Sequence, residues 1–275
     1  MFIMEKSRMK NIKIYTGNRP SILLVGAGGF GIKRLKILKE FDKKGLITLC
    51  GVVVKTERSK AEIEREYKIP AYLSLLGTIL ERTDAIVIAT PPSTHHSLVK
   101  KCLPYAHVFV EKPLATTAKD ARELHMLAAK YKKKLMVGHT FRFSPITEEL
   151  KREIAKKKRT LMRIHGVFTG TTLSHRESYA HPAFEYLHPL DILDYLLHKE
   201  PATIWSRTND LLCKADIRYD GPIDAHLELG WKGDKKIRSL EFFFSGSSQE
   251  TIRADYLSNT IEYKRENRIV YRKHK

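Results

Sequence analysis

The first half of the chain alternates short apolar runs with longer segments in which apolar residues recur at helical spacing. The apolar runs predict strands at residues 21–25, 46–54, 85–89, 108–110 and 135–137. The periodic segments predict helices at residues 32–41, 59–67, 95–103 and 117–131. Strands that alternate with helices are joined by right-handed crossovers, so this half is predicted to form a doubly wound α/β fold around a parallel sheet.

The pattern changes after residue 141, where strands follow one another with few helices between them. They are predicted at residues 161–169, 203–208, 224–231 and 238–244, with two ribbons across residues 251–272. Apolar positions alternate from Ile223 to Trp231, which is typical of a sheet with one exposed face. Two helices, at residues 146–157 and 187–197, accompany this mostly antiparallel sheet.

A length of 275 residues is enough for two domains of ordinary size. We place the boundary at the change of pattern. Residues 1–141 are predicted to form the α/β domain, and residues 142–275 a smaller α+β domain.

A glycine-rich motif, G-A-G-G-F-G, occupies residues 26–31, directly after the first predicted strand and directly before the first predicted helix. In this context the motif is typical of a Rossmann domain that binds a dinucleotide. Gly26 permits the tight turn, Gly28 lets the backbone approach the pyrophosphate, and Gly31 allows the helix to pack on the strand. Gly29 and Phe30 open the helix, whose N-terminal N–H groups attract anions, so all five residues are predicted to bind the cofactor. The alternative is a glycine-rich turn that binds nothing.

The end of the second strand distinguishes the two nicotinamide cofactors, because an acidic residue there accepts hydrogen bonds from a free ribose 2'-hydroxyl. This chain has Lys55 and Arg58 at that point, with the Thr56 hydroxyl between them. Two cations and a hydroxyl suit a 2'-phosphate, so NADP is the favoured cofactor. NAD is the alternative, with Glu57 holding the ribose.

Fifty basic residues against 31 acidic residues give a net charge of +19. Such an excess by itself favours a polyanionic partner such as nucleic acid. The basic residues are spread along the chain and form no single patch interleaved with aromatic residues, so we expect no nucleic-acid partner. A generally basic surface suits an anionic small molecule.

Cysteine usage and hydropathy bear on the cellular compartment. Three cysteines without a CxxC pair predict neither a disulfide framework nor a thiolate metal site, which fits a reducing cytoplasm. We find no signal-peptide core and no run of about eighteen apolar residues. The chain is therefore expected to be cytoplasmic, with no membrane partner.

Four motifs follow one another in the first half: GAGGFG at residues 26–31, IATPPSTH at 88–95, VEKPLA at 110–115 and VGHTFRFSP at 137–145. Their order and spacing resemble the glucose-fructose oxidoreductase and inositol dehydrogenase (Gfo/Idh/MocA) family. The second half resembles that family loosely, mainly through HPLD at residues 188–191, and is shorter than is usual there. The resemblance implies an NAD(P)-dependent oxidoreductase that transfers a hydride to or from a carbohydrate-like substrate: a sugar, a sugar derivative such as a nucleotide sugar, or a cyclic polyol. It also implies a homodimer or homotetramer.

The resemblance assigns catalytic roles to two residues. Lys112 matches the family's catalytic lysine, and a lysine just past a buried strand can hydrogen-bond the reacting oxygen and exchange a proton with it. His188 matches the second catalytic position, and histidine is the side chain whose ordinary pKa suits proton transfer near neutral pH. Lys112 is also predicted to contact the cofactor. Four further residues match positions along the cofactor: Thr90, Pro91, His95 and Glu111.

Three residues of the second domain are predicted to contact the substrate. Arg142 matches a family position between the two domains. Glu185 and Asp191 are each three residues from His188, which predicts that one helix face carries all three and that a carboxylate orients the imidazole. The family commonly has an aspartate four residues before the histidine, where this chain has Phe184. No His, Cys, Asp or Glu spacing is typical of a metal site, so no metal is predicted.

Three other functions stay open. A nucleotide-binding sensor without catalysis is consistent with Phe184 and the short second domain. A bilin-type reductase shares the broad fold. That branch of the family resembles this chain but lacks the lysine that matches Lys112. A nucleic-acid-binding protein is motivated only by the net charge of +19.

Overall fold

The computed structural model describes residues 19–156, 160–171, 181–231, 235–246, 250–265 and 268–274. The chain divides into two compact units, one ending at Val137 and the other beginning at Gly138. The predicted boundary after residue 141 lies slightly later, because the short 3-10 turn Thr140–Phe143 packs against helices of the second unit. No helix in these ranges combines the length and the apolar character that crossing a lipid bilayer requires.

The described strands of the first unit form one parallel sheet. In chain order they are β1 (Ser21–Val25), β2 (Thr48–Val53), β3 (Ala71–Tyr72), β4 (Ala85–Ile88), β5 (His107–Val110) and β6 (Leu135–Val137). Their spatial order is β3-β2-β1-β4-β5-β6, and every neighbouring pair is parallel. The predicted doubly wound sheet is confirmed. The strand order reverses between β1 and β4, and open α/β sheets bind ligands at the carboxyl ends of strands at such a point.

Helices cover both faces of this sheet. They are α1 (Gly29–Lys43), α2 (Glu57–Tyr67), α3 (Gly77–Leu80), α4 (His95–Cys102) and α5 (Ala118–Lys130). Successive side chains of a strand point to opposite faces, so Leu23 packs with Val99 of α4 and Leu124 of α5. Leu24 packs on the other face with Leu35 of α1. The four predicted helices are present, whereas β3 and α3 were not predicted.

The second unit is built on an eight-stranded sheet. Its described strands are β7 (Leu161–Thr169), β8 (Pro201–Thr208), β9 (Leu212–Tyr219), β10 (Asp224–Gly230), β11 (Ile237–Phe244), β12 (Glu250–Asp255), β13 (Thr260–Arg265) and β14 (Arg268–His274). The order is β14-β13-β12-β11-β7-β10-β9-β8, and all pairs except β7 with β10 are antiparallel. The mostly antiparallel sheet is thus confirmed, with β9 as an additional strand.

Helices cover one face of the second sheet. They are α6 (Pro145–Ala155), α7 (Pro182–Glu185) and α8 (His188–Leu197). Apolar side chains of α6 and α8, among them Leu150 and Ile192, are fully buried in one cluster with Ile164 and Phe168 of β7. This packing fixes the start of α8 against the sheet.

Candidate functional site

The glycine turn between β1 and α1 is held by close backbone packing at two of its glycines. Gly26 has φ +99°, a conformation that other residues rarely adopt. A Cβ atom added to Gly26 would lie 2.6 Å from the Ala89 carbonyl oxygen, and one added to Gly31 would overlap the carbonyl oxygen of Gly26. These two positions therefore require glycine for the reasons predicted from the motif.

The other two glycines of the turn face open space. A Cβ atom on Gly28 or Gly29 meets no protein atom within 4 Å, and both residues are exposed. Helix α1 begins at Gly29 with no acidic residue in its first turn, and Phe30 beside it is half exposed. An open glycine backbone at the positive end of a fifteen-residue helix fits the pyrophosphate of a dinucleotide.

These two kinds of glycine predict different effects of an added methyl group. Gly31→Ala is expected to destabilise the protein by about 1–3 kcal/mol, because the methyl group overlaps backbone. Gly28→Ala is expected to leave stability unchanged but to weaken nicotinamide nucleotide binding by about tenfold or more, equivalent to about 1.4 kcal/mol. Urea unfolding and nucleotide titration measure the two effects.

Gly77→Ala is the matched control, since a Cβ atom there also meets nothing within 4 Å and Gly77 begins the separate helix α3. It is expected to change neither quantity. Unaltered nucleotide affinity in Gly28→Ala would contradict the assignment of this turn.

The end of β2 presents the two cations that sequence predicts for a 2'-phosphate. Lys55 is exposed, and Thr56 caps α2 by accepting a hydrogen bond from the Ser59 N–H at 3.1 Å. Arg58 is also exposed, and its guanidinium pairs with Glu62 one turn later at 2.9 Å. An exposed i,i+4 pair contributes little, so Arg58 can exchange this partner for a phosphate at small cost.

The loop after β4 brings Thr90 and Pro91 to the same edge of the sheet, before a 3-10 turn at Pro92–Thr94. His95, predicted to lie along the cofactor, is fully buried. Its Nδ1 lies 2.6 Å from the Pro113 carbonyl oxygen and its Nε2 lies 2.9 Å from the Thr90 carbonyl oxygen. Both ring nitrogens therefore face backbone carbonyl oxygens, one from each of two loops.

The Glu-Lys-Pro segment directly follows β5. The Glu111 N–H donates to the Ile88 carbonyl at 2.9 Å. The Glu111 carboxylate accepts a hydrogen bond from Arg34 Nε at 2.6 Å and forms an ion pair with the same guanidinium. Lys112 is buried, and the peptide bond between it and Pro113 is cis. The Glu111 carboxylate thus binds Arg34, and its predicted contact with the cofactor stays a prediction.

Arg34 was missed by the sequence analysis. It lies in α1, 77 residues before its partner, and nothing in the local pattern distinguishes it from the other basic residues of that helix. The one available signal was its place three residues after the last glycine of the turn.

In the second unit, Arg142 is part of a charged cluster. It donates from Nε to Asp191 at 2.8 Å and from Nη2 to Asp194 at 2.8 Å. The pKa of Arg142 is raised, mainly by the hydrogen bond to Asp191. His139 Nδ1 lies 3.6 Å from the same Asp191 carboxylate. The contacts of Asp191 thus include Arg142 and His139, and His139 was not predicted as a site residue.

The prediction that one helix carries Glu185, His188 and Asp191 is wrong. Glu185 ends the short helix α7, and α8 begins afresh at His188. Pro189 is the second residue of α8, where a proline is tolerated, but inside a continuous helix its ring clashes with the carbonyl of Glu185. The chain therefore breaks between the two helices, and only His188 and Asp191 share one.

The contacts of Glu185 and His188 follow from this break. The Glu185 carboxylate accepts a hydrogen bond from Trp231 Nε1 at 2.5 Å. The His188 ring packs edge-on against Phe141, with 4.6 Å between ring centroids. His188 is thereby oriented by an aromatic neighbour from the VGHTFRFSP motif, a contact that sequence spacing does not reveal.

Arg238 is a second residue that the sequence analysis missed. Its guanidinium lies 4.6 Å from the ring centroid of Tyr186 and 5.8 Å from that of Phe168, and it donates to the Thr169 and Ile237 carbonyls. Burial lowers the pKa of Arg238. In the sequence Arg238 stands at the start of a predicted strand as an ordinary polar residue.

Three potential metal ligands come together in the first unit, although no metal was predicted. His96 Nε2 lies 2.8 Å from Glu123 and 3.9 Å from Asp120. Lys100 donates to the other oxygen of Glu123 at 2.6 Å, and this bond is the main cause of the lowered pKa of Glu123. Since two protein donors already satisfy the carboxylate, we assign no metal ion to this cluster.

Comparison with known proteins agrees with this geometry. Residues 21–139 match the Gfo/Idh/MocA family, described as an oxidoreductase family with an NAD-binding Rossmann fold. The likeness to this family is thus shown for residues 21–139, which are less than half of the chain. The Gfo/Idh/MocA resemblance predicted from the four motifs is therefore confirmed.

Relatives differ in how much of the chain they match. Biliverdin reductase A of Mus musculus is 28% identical over 239 residues, which cover 84% of this chain and 78% of that protein. A 4-carboxy-2-hydroxymuconate-6-semialdehyde dehydrogenase of Sphingobium sp. is 32% identical over 127 residues, or 45% of this chain. The matches to two of the curated relatives span only 41% and 39% of those proteins.

The fold extends to solved structures of low sequence identity. UDP-N-acetylglucosamine 3-dehydrogenase GnnA from Acidithiobacillus ferrooxidans superposes with a TM-score of 0.78 at 19% identity. The superposition covers 94% of this chain and 84% of that chain. Both units thus have their counterpart in that fold.

Proposed function

We propose that this chain is a Gfo/Idh/MocA protein, an NADP-dependent oxidoreductase acting on a secondary hydroxyl or keto group of a sugar, a sugar derivative or a cyclic polyol. The observation that carries the proposal is that an open glycine turn and a buried lysine follow β1 and β5 of one parallel sheet. These strands are separated only by β4, so both features belong to the same carboxyl edge.

The chain's own residues supply binding and proton transfer. The backbone of residues 26–31 holds the pyrophosphate. Lys112 hydrogen-bonds the reacting oxygen and takes the hydroxyl proton as the alcohol is oxidised, or returns it in reduction. His188 is the second proton-transfer residue, and Arg142, Glu185 and Asp191 are substrate-side residues. A nicotinamide nucleotide held by these residues would supply the hydride-transfer chemistry, as hydride acceptor in oxidation and as hydride donor in reduction.

The choice of NADP rests on Lys55 and Arg58, and it predicts a selective loss of affinity. The double variant Lys55→Ala, Arg58→Ala is expected to weaken NADP binding by about tenfold or more, since each hydrogen bond to a charged group contributes about 1.5–3 kcal/mol. NAD binding is expected to change little, because NAD lacks the 2'-phosphate. Thermal shift titrations with the two nucleotides measure the difference.

Arg65→Ala is the matched control, since Arg65 is an exposed cation at the other end of α2. It is expected to leave both affinities unchanged. A parent protein that prefers NAD would overturn the assignment of Lys55 and Arg58.

The net charge of +19 favours an anionic sugar, either a nucleotide sugar or a sugar phosphate, and the UDP-N-acetylglucosamine 3-dehydrogenase of Acidithiobacillus ferrooxidans is 29% identical over 104 residues. The test is cofactor reduction across nucleotide sugars, sugar phosphates, neutral sugars and cyclic polyols. Turnover within this panel supports the proposal. Tight nucleotide binding without turnover of any member indicates a sensor protein instead.

A bilin reductase is the second candidate, because biliverdin reductase A is matched over 84% of this chain, including its second half. Biliverdin with NADPH therefore belongs in the same panel. Lys112 favours a carbohydrate-like substrate over a bilin, because the bilin branch of the family lacks the lysine that matches Lys112. Rapid reduction of biliverdin with no turnover of sugars would replace the first candidate by the second.

The oligomeric state is also a proposal. The strand β8 is exposed along its whole length and lies at an edge of the eight-stranded sheet, with Trp205 73% exposed. This edge is consistent with the homodimer or homotetramer that the family resemblance implies.

A further inference from the structure

Two connections flank Lys112 along the chain. On one side, Glu111 Oε1 accepts a hydrogen bond from Arg34 Nε at 2.6 Å, and Arg34 Nη2 lies 2.5 Å from the same oxygen as an ion pair. On the other side, the Pro113 carbonyl oxygen lies 2.6 Å from His95 Nδ1. We propose that Arg34 and His95 are positioning residues that fix the backbone on both sides of Lys112, an inference that rests on the proposed function of that lysine.

The ion pair connects Lys112 to the helix of the glycine turn. Arg34 lies in the second turn of α1, and its side chain and that of Glu111 are 23% and 11% exposed. The guanidinium also lies 5.3 Å from the ring centroid of Phe109 in β5. Charge-assisted hydrogen bonds are the strong ones, and they are screened little when partly buried. The element that would hold the cofactor phosphates is thus joined directly to the residue before Lys112.

The imidazole connects Lys112 to the loop after β4. His95 is 0% exposed, and its second nitrogen faces the Thr90 carbonyl oxygen at 2.9 Å. Carbonyl oxygens only accept hydrogen bonds, so a ring nitrogen must carry a proton to bond either of them. A neutral ring makes one of the two bonds and an imidazolium makes both. Fixation of the backbone beside Lys112 needs the proton on Nδ1, and the shorter of the two distances is at that nitrogen.

Such fixation matters because a lysine side chain is long and flexible, and the backbone sets where its ammonium group can reach. A misplacement of about 1 Å at a reacting group can cost about a hundredfold in rate. Lys112 is 7% exposed, so a loosened segment would also make its amine easier to modify.

The first test uses this reactivity and needs no substrate. The rate of Lys112 acylation by acetic anhydride is measured by mass spectrometry in the folded parent, His95→Phe and Arg34→Met. Each variant is expected to raise the Lys112 rate by about threefold or more, because local opening governs access to buried groups. The controls are His96→Phe and Lys36→Met, which change the neighbouring histidine and an exposed cation of α1, and they are expected to leave the rate unchanged.

The second test separates positioning from general stability. Both variants are expected to lower kcat by about tenfold while the KM for NADP stays close to that of the parent. The same substitutions are then made in Lys112→Ala and followed in single-turnover experiments. If Arg34 and His95 act through Lys112, their effect on the rate disappears in that background, whereas a merely structural defect persists.

An unchanged Lys112 acylation rate in both variants would overturn the inference. An equal loss of single-turnover rate in the parent and in the Lys112→Ala background would also overturn it. If His95→Phe or Arg34→Met does not fold, His95→Leu and Arg34→Leu, which also remove the hydrogen-bond donor, replace them, and the same two outcomes decide. Failure of the proposed function is distinguishable, since Lys112→Ala then leaves turnover intact while the acylation test still reports on the two connections.

Discussion

Replacing Lys112 by alanine is expected to lower turnover by about 10²–10⁴-fold, the usual contribution of a positioned general acid or base. Cofactor affinity is expected to stay near that of the parent, because the glycine turn that would hold the pyrophosphate is built from other residues. The loss therefore falls on kcat. Steady-state kinetics on the best substrate of the panel, with nucleotide titration alongside, measure both quantities.

Lys101→Ala provides the control, since it removes an exposed lysine from α4 in the same unit. It is expected to leave turnover unchanged. Turnover of Lys112→Ala equal to that of Lys101→Ala would remove Lys112 from the mechanism. A loss confined to KM would make it a binding residue without a part in proton transfer.

The sequence predicts the first unit well because its signals are local. Each main strand is an apolar run, each main helix has a regular apolar face, and the glycine motif joins the first strand to the first helix. The missed elements β3 and α3 have two and four residues, too few for any period to appear. Long, periodic elements are thus predictable, whereas short ones depend on their neighbours for their existence.

The second unit shows where a readable signal was overlooked. In β9, Cys213, Ala215, Ile217 and Tyr219 are buried, and the polar residues between them are exposed. This alternation is present in the sequence and is sufficient to predict a strand. The break between α7 and α8 was also readable, since Pro189 restricts the helix before it.

The partners of charged side chains could not be read from the sequence. The ion pair of Arg34 with Glu111 spans 77 residues, and the pair of Arg142 with Asp191 spans 49. Such pairs depend on how strands and helices stack, which a local pattern does not encode. The roles of the candidate residues therefore stay predictions, and the sequence placed Asp191 beside His188 without predicting its ion pair with Arg142.

The pairing of Arg142 with Asp191 predicts the second large effect, a loss of stability. The Asp191 side chain is 6% exposed, so removing the Arg142 guanidinium takes its nearest ion-pair partner from a buried carboxylate. Breaking a buried pair in this way costs about 3–5 kcal/mol. Because the Arg142 side chain is 34% exposed and water can partly replace it, we expect Arg142→Met to cost about 2–3 kcal/mol. Urea unfolding, compared at constant m-value, measures the change.

Asp194 supplies the matched control for the Arg142 prediction. It pairs with the same guanidinium at 2.8 Å, but its side chain is 64% exposed. Asp194→Asn is therefore expected to cost less than about 1 kcal/mol, as exposed pairs do. If Arg142 instead serves only the substrate, Arg142→Met raises KM and is no less stable than Asp194→Asn. A large loss of stability in Arg142→Met with no change in KM would mean that Arg142 holds Asp191 in place at the start of α8.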